Sequence, residues 1–554
     1  MPNAEDIRFY VGNALDTGRP DLARPWRDSL LGDGTDPANL TLLARLTADE
    51  GDIVAAMAYN GEAVRANPFY IDGQIQRGNA LLKLEAYDQA IECFEQILLF
   101  SPLHDQALAA LIHAAQKTGR SHVAAYALQR RLRLGAEHAE LQNTLGLCLH
   151  SCGNLQGALE AYLRAIELDP NTPLYYSNSA TIFYHLERFD DALTQLECAL
   201  QLDPDFATAW YHIGNVRKAT CKIALAEEAY RRAVKLKPDY AEAHFALGCA
   251  LLQQDAWLEG WSEYEWRWRV PGLVAPIHAH LPLWQGEDLQ GKRLLVVAEQ
   301  GSGDTLQYIR YARELAARGA TVVVWAPPET ASLLNRLPYI AQAASNRFEL
   351  PQCDMYIPTM SVPRLLQSRF EQIPAEPYLS CDPVRLARFA RELGPRQEKL
   401  RIGIAWAGNS GQVADRYRSA HLAALAPLFG DPMIRWISLQ KGSASQQIAQ
   451  TGLPLEDWGS QLESFDATAA LMSALDGVVS VCSAPIHLAG GLGVRSVAML
   501  SWAPDWRWRA DTVHTPYYPA MRIARMSSLN NWDEVARRTA EIVSSWKPKT
   551  RHRS

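Results

Sequence analysis

Prolines in the N-terminal half of this 554-residue chain recur with a single period. The prolines that define the series are Pro68, Pro102, Pro170, Pro204 and Pro238. Their spacings are 34, 68, 34 and 34 residues, and Ala136 occupies the one position where the series lacks a proline. A unit of this length cannot bury its apolar face alone, so the period predicts helical hairpins that stack on one another.

Small and aromatic residues follow the same period. Ten residues after a proline or its equivalent position, glycines stand at Gly78, Gly146, Gly214 and Gly248. Later in the unit come alanines and then aromatic residues, at Ala90, Ala124, Ala158, Ala192, Ala226, Phe94, Tyr162 and Tyr230. We expect the glycines to lie where the two helices of a hairpin approach each other closely.

This pattern resembles the tetratricopeptide repeat over about residues 37–268. Residues 1–36 are predicted to be degenerate or capping helices, and residues 269–290 a linker in which prolines interrupt the helix. The resemblance implies an array that binds a protein or peptide, and a structural spacer is the alternative.

A cluster of aromatic residues closes the array, at Trp257, Trp261, Tyr264, Trp266 and Trp268. At helical spacing this cluster predicts a hydrophobic seam that packs the last repeat on the next domain. A sugar-stacking surface is the alternative.

Strands and helices alternate in the C-terminal half, beginning with a strand at residues 294–298, a glycine-bearing turn, a helix and a second strand at 321–326. Further strands are expected at 401–407, 434–439, 477–482 and 495–500, and helices at 421–428, from Ser443, at 484–492 and at 532–546. The pattern predicts an α/β fold with parallel sheets, whose ligands bind at the carboxyl ends of the strands. We divide this part into two Rossmann-like halves, residues 291–395 and 396–554.

Two predicted helices begin with residues suited to a ligand. In the first helix entrance, residues 301–304, Gly301 and Gly303 permit a tight turn and a close approach. Asp304 follows, and a carboxylate there suits a base that takes a proton from an acceptor hydroxyl. Helix capping is its alternative role.

The second helix entrance, residues 482–487, places Ser483 as the N-cap of a helix with Pro485 in its first turn. Free amides and the positive end of the helix dipole predict an anion site suited to a diphosphate. His487 either donates to that phosphate or is a packed histidine.

The ordered set AEQGSGDTLQYIRYARELAARGA, IGIAWAGN with DRYRS, SLQKG, SVCSAPIHLAGGLG and APDWRW with YYP resembles the heptosyltransferase-like module of glycosyltransferase family nine, over about residues 280–545. In architecture the chain also resembles O-GlcNAc transferase and bacterial flagellin glycosyltransferases, in which repeats hold a protein acceptor beside a GT-B domain. The resemblance implies an inverting, metal-independent sugar transfer, with a nucleotide sugar as co-substrate and no other cofactor.

The resemblance also implies roles for single residues. Asp304 matches the position of a proposed general base. Arg418 falls near the donor phosphates, Lys441 lies on the donor side after the next strand, and Ser483 and His487 match the donor-side helix entrance.

Three further positions are candidates for lining the pocket: Asn409, position 505 and Arg507. The aromatic segments 502–508 and 517–519 either line that pocket or pack structurally. One residue departs from the family pattern, because Cys482 stands where an acidic residue is usual, and a thiol does not replace a carboxylate as an acceptor of strong hydrogen bonds.

We therefore expect a cytoplasmic glycosyltransferase that modifies Ser or Thr hydroxyls of a protein held by the repeats, for example a flagellin or another surface protein. The alternatives are transfer to lipopolysaccharide or another glycan, and a scaffold with a degenerate transferase domain. A net charge of -7 gives no footprint for nucleic acid, and neither a signal peptide nor a long apolar run is found in the sequence. Nine scattered cysteines without a C-x-x-C pair predict reduced thiols.

Overall fold

A computed structural model describes residues 3–32, 35–135, 138–274, 280–369, 372–395, 398–408, 415–509 and 513–546. Ala136, Asn409 and part of the predicted linker lie outside these ranges. By its internal contacts the chain divides into two compact units, Met1–His212 and Ile213–Ser554.

The first unit is helical, and from its fourth helix onward the helices form successive hairpins. These helices are α1 Ala4–Asp16, α2 Pro20–Ala23, α3 Arg27–Leu31, α4 Pro37–Asp49, α5 Ile53–Ala66, α6 Ile71–Lys83, α7 Tyr87–Phe100, α8 Asp105–Lys117, α9 Ser121–Arg133, α10 Ala139–Ser151, α11 Leu155–Leu168, α12 Pro173–His185 and α13 Phe189–Leu202. Helix α14, Ala207–Ala219, spans the division between the units. The repeat array predicted from the proline period is confirmed.

The periodic glycines Gly78, Gly146 and Gly214 each lie on the first helix of a repeat, where an aromatic ring from the second helix of the same repeat packs against the glycine. A Cβ added to Gly78 would lie 2.5 Å from Phe94 Cζ, and one added to Gly146 would lie 2.5 Å from Tyr162 Cε1. Gly214 meets the ring of Tyr230 in the same way. The predicted close approach is therefore confirmed, because no side chain larger than hydrogen fits there without displacing the ring.

The second unit begins with the last helices of the array: α15 Ile223–Leu236, α16 Ala241–Gln253 and α17 Trp257–Tyr264. In the aromatic cluster at their end Trp257, Trp261 and Tyr264 are buried, each at most 4% exposed, while Trp266 and Trp268 are half-buried. The Trp261 ring lies 5.7 Å from that of Tyr308 and 5.4 Å from that of Trp506. The cluster is thus the predicted hydrophobic seam.

A four-stranded parallel sheet follows, with strand order β3-β2-β1-β4. Its strands are β1 Arg293–Val297, β2 Thr321–Trp325, β3 Gln342–Ala344 and β4 Met355–Pro358. The helices of this part are α18 Ser302–Tyr308, α19 Ala312–Ala317, α20 Pro328–Leu334 and α21 Val362–Leu365.

A six-stranded parallel sheet completes the unit, with strand order β10-β9-β8-β5-β6-β7. Its strands are β5 Leu400–Ala405, β6 Ile434–Ser438, β7 Leu455–Asp457, β8 Gly477–Val481, β9 Ser496–Leu500 and β10 Met521–Arg525. Its helices are α22 Pro383–Glu392, α23 Asp415–Arg418, α24 Gln447–Thr451, α25 Phe465–Ala474, α26 Ala484–Gly491 and α27 Trp532–Ser544. The α-helix expected at 421–428 is a 3-10 helix, Leu422–Gly430, because in an α-helix the ring of Pro427 would clash with the carbonyl four residues earlier.

The strand order reverses between β1 and β4 in the first sheet and between β5 and β8 in the second. Ligands of open parallel sheets bind outside the carboxyl ends of the strands at such points. A ligand site is therefore expected at the residues that follow β1, β5 and β8. No helix in the described ranges is long and apolar enough to cross a membrane.

Candidate functional site

Helices α18 and α26 start beside each other, each directly after a strand next to a reversal point. A Cβ added to Gly303 of α18 would lie 3.2 Å from His487 Cδ2 and 3.5 Å from the Cα of Ala484. This spacing leaves almost no room for a side chain at position 303. The structure thus brings the two helix entrances together.

The turn before α18 is held in an uncommon backbone conformation. Gln300 has φ +59°, a value that costs a non-glycine residue about 1 kcal/mol. Its side-chain amide donates to the Tyr264 hydroxyl at 3.2 Å, so the last repeat helix holds the turn. The amides of Asp304 and Thr305 donate to the Gly301 carbonyl, whereas those of Ser302 and Gly303 have no acceptor among the described residues.

Asp304 has contacts on both carboxylate oxygens. Oδ2 accepts from the Gly301 amide at 3.2 Å, which is the capping alternative, and Oδ1 accepts from Arg507 Nη2 at 2.6 Å. About a fifth of the side chain, 21%, is exposed. The carboxylate is therefore fixed in place and still reachable from solvent.

The start of α26 differs in one respect from the prediction. Ser483 occupies the N-cap position, but its hydroxyl lies 3.3 Å from the Val481 carbonyl and 3.2 Å from Ser480 Oγ and does not cap the helix. Ile486 donates its amide to the Ser483 carbonyl, and Pro485 has no amide hydrogen. In the described part of the chain, the amides of Ser483 and Ala484 thus have no acceptor.

His487 is packed rather than exposed. It is 5% exposed, its Nδ1 lies 3.0 Å from the Tyr518 hydroxyl, and its ring stacks on Trp508 at 5.4 Å. Burial, and next the charge of Arg507, lower the pKa of His487 to about 3. The ring is therefore neutral near pH 7. Of the two roles considered for His487, the structure agrees with a packed histidine.

The segment after β9 contributes charged residues to the cleft, that is, to the space beside the two helix entrances. Position 505 carries an aspartate, and Asp505 Oδ1 accepts from the Arg507 amide at 3.0 Å and from Arg507 Nη1 at 2.7 Å. Arg507, 8% exposed, therefore links Asp505 to Asp304 across the cleft. Its aromatic neighbours Trp506 and Trp508 are buried in the core, as the structural alternative predicts.

Tyr517 and Tyr518 are also buried, at 2% and 1% exposure. Their rings enclose the guanidinium of Arg310, which donates to the Tyr517 carbonyl at 2.9 Å. This segment packs structurally as well.

Cys482 faces Trp508, whose indole Nε1 lies 3.0 Å from the sulfur. Burial, assisted by the charge of Asp505, raises the pKa of the Cys482 thiol to about 11. A neutral thiol therefore stands at the end of β8.

Arg418 adds positive charge beside the second entrance. Its Nε lies 3.1 Å from Asp415 Oδ1, and its charge acts on both Cys482 and His487. Gly408 lies against this pair, because a Cβ added to it would clash with Asp415 Oδ1 and lie 3.1 Å from Arg418 Nε.

Lys441 has an exposed side chain, and its charge, after those of Arg385 and Arg388, lowers the pKa of Glu463. The neighbouring Gln440 shapes the site: its Oε1 accepts from the amides of Trp406 and Ala407 at 2.9 Å each. Sequence analysis missed this residue, because only the fold shows that it clamps a loop 33 residues away.

A second missed feature joins the last repeat to the first entrance. Arg267 is fully buried and makes a bidentate contact with Glu299, at 2.8 Å and 2.9 Å. Glu299 lies two residues before Gly301 and also accepts from the Met360 amide at 2.8 Å. The loop that carries the first entrance is therefore fixed to the end of the last repeat.

The first unit has a candidate site of its own, a groove of about 310 Å³ between α7 and α9. Leu99 and Tyr126 stand in it with 58% and 67% of their surfaces exposed. The full lining is Glu92, Glu95, Gln96, Leu98, Leu99, Pro102, Leu111, Val123, Tyr126, Ala127 and Arg130. An open apolar groove with a charged rim suits a peptide segment.

Comparison with known proteins agrees with the repeats. Residues 146–186, 180–220 and 222–255 match a model described as TPR repeat, and residues 71–102 match one described as tetratricopeptide repeat. Protein FlbA of Caulobacter vibrioides is 24% identical over 489 residues, 82% of this chain and 81% of FlbA. That length exceeds the array, so the likeness extends into the α/β part.

Two other similarities are confined to shorter stretches. Small glutamine-rich tetratricopeptide repeat-containing protein 2 of Mycosarcoma maydis is 37% identical over 81 residues, 15% of this chain and 23% of that protein. The crystal structure of YrrB, titled a TPR protein with an unusual peptide-binding site, aligns at 20% identity and a TM-score of 0.23, over 39% of this chain and 94% of that one.

Proposed function

We propose that the α/β part is a GT-B glycosyltransferase that transfers a sugar from a nucleotide-activated donor to a hydroxyl group of a protein held by the repeats. The observation that carries this proposal is the meeting of α18 and α26 at the carboxyl ends of β1 and β8. Unbonded amides at two helix starts, with Arg507 and Arg418 nearby, suit the diphosphate of such a donor.

In the proposed reaction the oxygen of the acceptor hydroxyl forms a bond to the anomeric carbon of the donor sugar. The bond from that carbon to the phosphate oxygen breaks, and the nucleoside diphosphate leaves with its electron pair. Asp304 takes the hydroxyl proton, and the two contacts of its carboxylate fix its orientation. The helix amides and Arg507 offset the charge that develops on the leaving diphosphate.

The groove between α7 and α9 is the proposed acceptor site. Leu99 and Tyr126 offer apolar contact, and the carboxylates of Glu92 and Glu95 favour a segment that carries basic residues. A flagellin or another surface protein is one acceptor of this kind.

The test is transfer from labelled nucleotide sugars to protein in an extract of the source organism, with the full chain and its Leu99→Ser/Tyr126→Ser variant. Both side chains are exposed, so the variant keeps its fold while its groove loses apolar surface. We expect labelled protein with the native chain and at least about a tenfold lower rate with the variant. Phe348→Ser, at a residue 95% exposed outside the groove, is the matched control.

Label that appears on glycan or lipid, at equal rates with both chains, would favour the alternative acceptor. The scaffold alternative is favoured by one observation, the neutral Cys482 thiol at the end of β8. It predicts that the chain binds no nucleotide sugar.

A further inference from the structure

Asp505 is the carboxylate of the cleft that keeps an unused oxygen. Both of its hydrogen bonds, from the amide and Nη1 of Arg507, go to Oδ1. In the ranges that the structure describes, Oδ2 has no donor, and 39% of the side chain is exposed. Asp304, by contrast, has a partner on each oxygen and is 21% exposed.

Several contacts hold Asp505 beside the start of α26. It begins the turn of 3-10 helix Trp506–Trp508, and the indole of Trp508 contacts Cys482 directly. The charge of Asp505 acts on both Cys482 and His487, one on each side of the α26 start. The position is rigid, because Arg507 is tied to Asp304 and the two tryptophans are buried.

The chemistry of this position is specific. A carboxylate repels the phosphates that the helix amides attract, so its partner is a neutral group of the same ligand. A hydroxyl group is such a neutral donor, and its hydrogen bond to an ionised carboxylate is strengthened by the charge. Desolvation by its neighbours raises the pKa of Asp505, but the charge and the hydrogen bonds of Arg507 outweigh this effect and lower the pKa. The Asp505 carboxylate therefore stays ionised at neutral pH.

We infer that Asp505 determines specificity for the hydroxyl groups of the ligand: its Oδ2 accepts a hydrogen bond from a ribose or sugar hydroxyl of a nucleotide whose phosphates lie at the starts of α18 and α26. This inference rests on the proposed function.

Asp505→Asn is the suitable variant, because the asparagine keeps an oxygen for both Arg507 contacts and replaces only Oδ2 by a donor. Asp533→Asn, at an exposed carboxylate paired with Arg537 on α27, is the matched control. The ligands for calorimetry with the full chain are UDP, GDP and ADP, their 2′,3′-dideoxy forms, UDP-glucose, GDP-mannose, ADP-glucose and inorganic pyrophosphate.

We expect removal of the relevant hydroxyls to weaken binding to the native chain by about 10- to 100-fold, the range for a hydrogen bond to a charged group. In Asp505→Asn this difference falls to less than about threefold, while pyrophosphate binds as before. A difference between a diphosphate and its dideoxy form assigns the contact to ribose. If the native chain binds the nucleotide sugar more tightly than the diphosphate and the variant does not, the contact of Asp505 is with the sugar.

Two results overturn the inference in distinguishable ways. If the native chain binds a nucleotide and Asp505→Asn discriminates between the ligands equally well, the assignment of Asp505 is wrong and the proposed function stands. If the folded native chain binds no nucleotide, both fail. The comparison of the nucleotides with their 2′,3′-dideoxy forms uses only the native chain. The inference can therefore be refuted even if Asp505→Asn does not fold.

Discussion

His487 makes the stability of the chain depend on pH in a predictable direction. Its pKa is about 3 in the folded chain, because the ring is buried among Tyr518, Trp508 and arginines, and about 6.5 in the unfolded chain. Below about pH 6.5 the unfolded chain therefore binds a proton that the folded chain does not. The contribution of this group is complete above that pH and is lost as the pH falls towards about 3.

We predict that this group lowers the free energy of unfolding by about 1.4 kcal/mol per pH unit between about pH 6 and pH 4. The measurement is urea unfolding of the native chain and of His487→Phe across that range. The phenylalanine keeps the stack on Trp508 and removes the titration, so the slope against pH should be shallower by this amount. Equal slopes would show that His487 is not buried in its neutral form.

Single residues show where sequence reasoning reaches its limit. Gly303 and Asp304 were identified because glycine turns and helix starts leave a local signal, and the structure places them at the cleft. Position 505 and Arg507 were pocket candidates from the sequence, but the contact of Arg507 with Asp304 and the clamp made by Gln440 join residues far apart along the chain, which no local pattern reveals. For Lys441, a place after a strand predicts a contact on the donor side, and this stays a prediction for an exposed side chain.

At the scale of the elements, the glycines of the repeats set how closely two helices of a hairpin pack. We predict that Gly146→Ala destabilises the chain by about 1–3 kcal/mol, because the new Cβ would lie 2.5 Å from Tyr162 Cε1 and the ring must move. Gly61→Ala in α5 is the matched control, since nothing lies within 4 Å of its added Cβ. That control should raise stability by up to about 1 kcal/mol.

Chemical unfolding of both variants tests this prediction. A neutral Gly146→Ala would mean that the hairpin adjusts at no cost, and the periodic glycines would then have no packing role.

The elements themselves were largely predictable. Strands β1, β2, β5, β6, β8 and β9 end within two residues of their predicted ends, because buried parallel strands appear as continuous apolar runs. Strands β3, β4 and β7 were missed, since three or four residues give no periodic signal, and β10 was missed because Arg522 and Arg525 interrupt its apolar run.

At the scale of the whole molecule, the last repeats belong to the second unit. The predicted array ends at residue 268, whereas the contacts divide the chain after His212. The reason is packing within the second unit: Cys221 Sγ lies 3.0 Å from the Trp502 carbonyl, and Arg509 pairs with Asp255 at 2.6 Å. A fragment that starts at residue 280 would expose the partners of Trp257 and Trp261, so binding experiments require the full chain.

The central claim is that the starts of α18 and α26 bind the phosphates of a nucleotide sugar. The most direct measurement is calorimetry of the full chain with the UDP, GDP, ADP and CMP series, repeated with Gly303→Val, whose side chain would occupy the space against Ala484 and His487. The account predicts that the native chain binds one series and that the folded variant binds none. Absence of binding by the folded native chain, or equal binding by Gly303→Val, would contradict it.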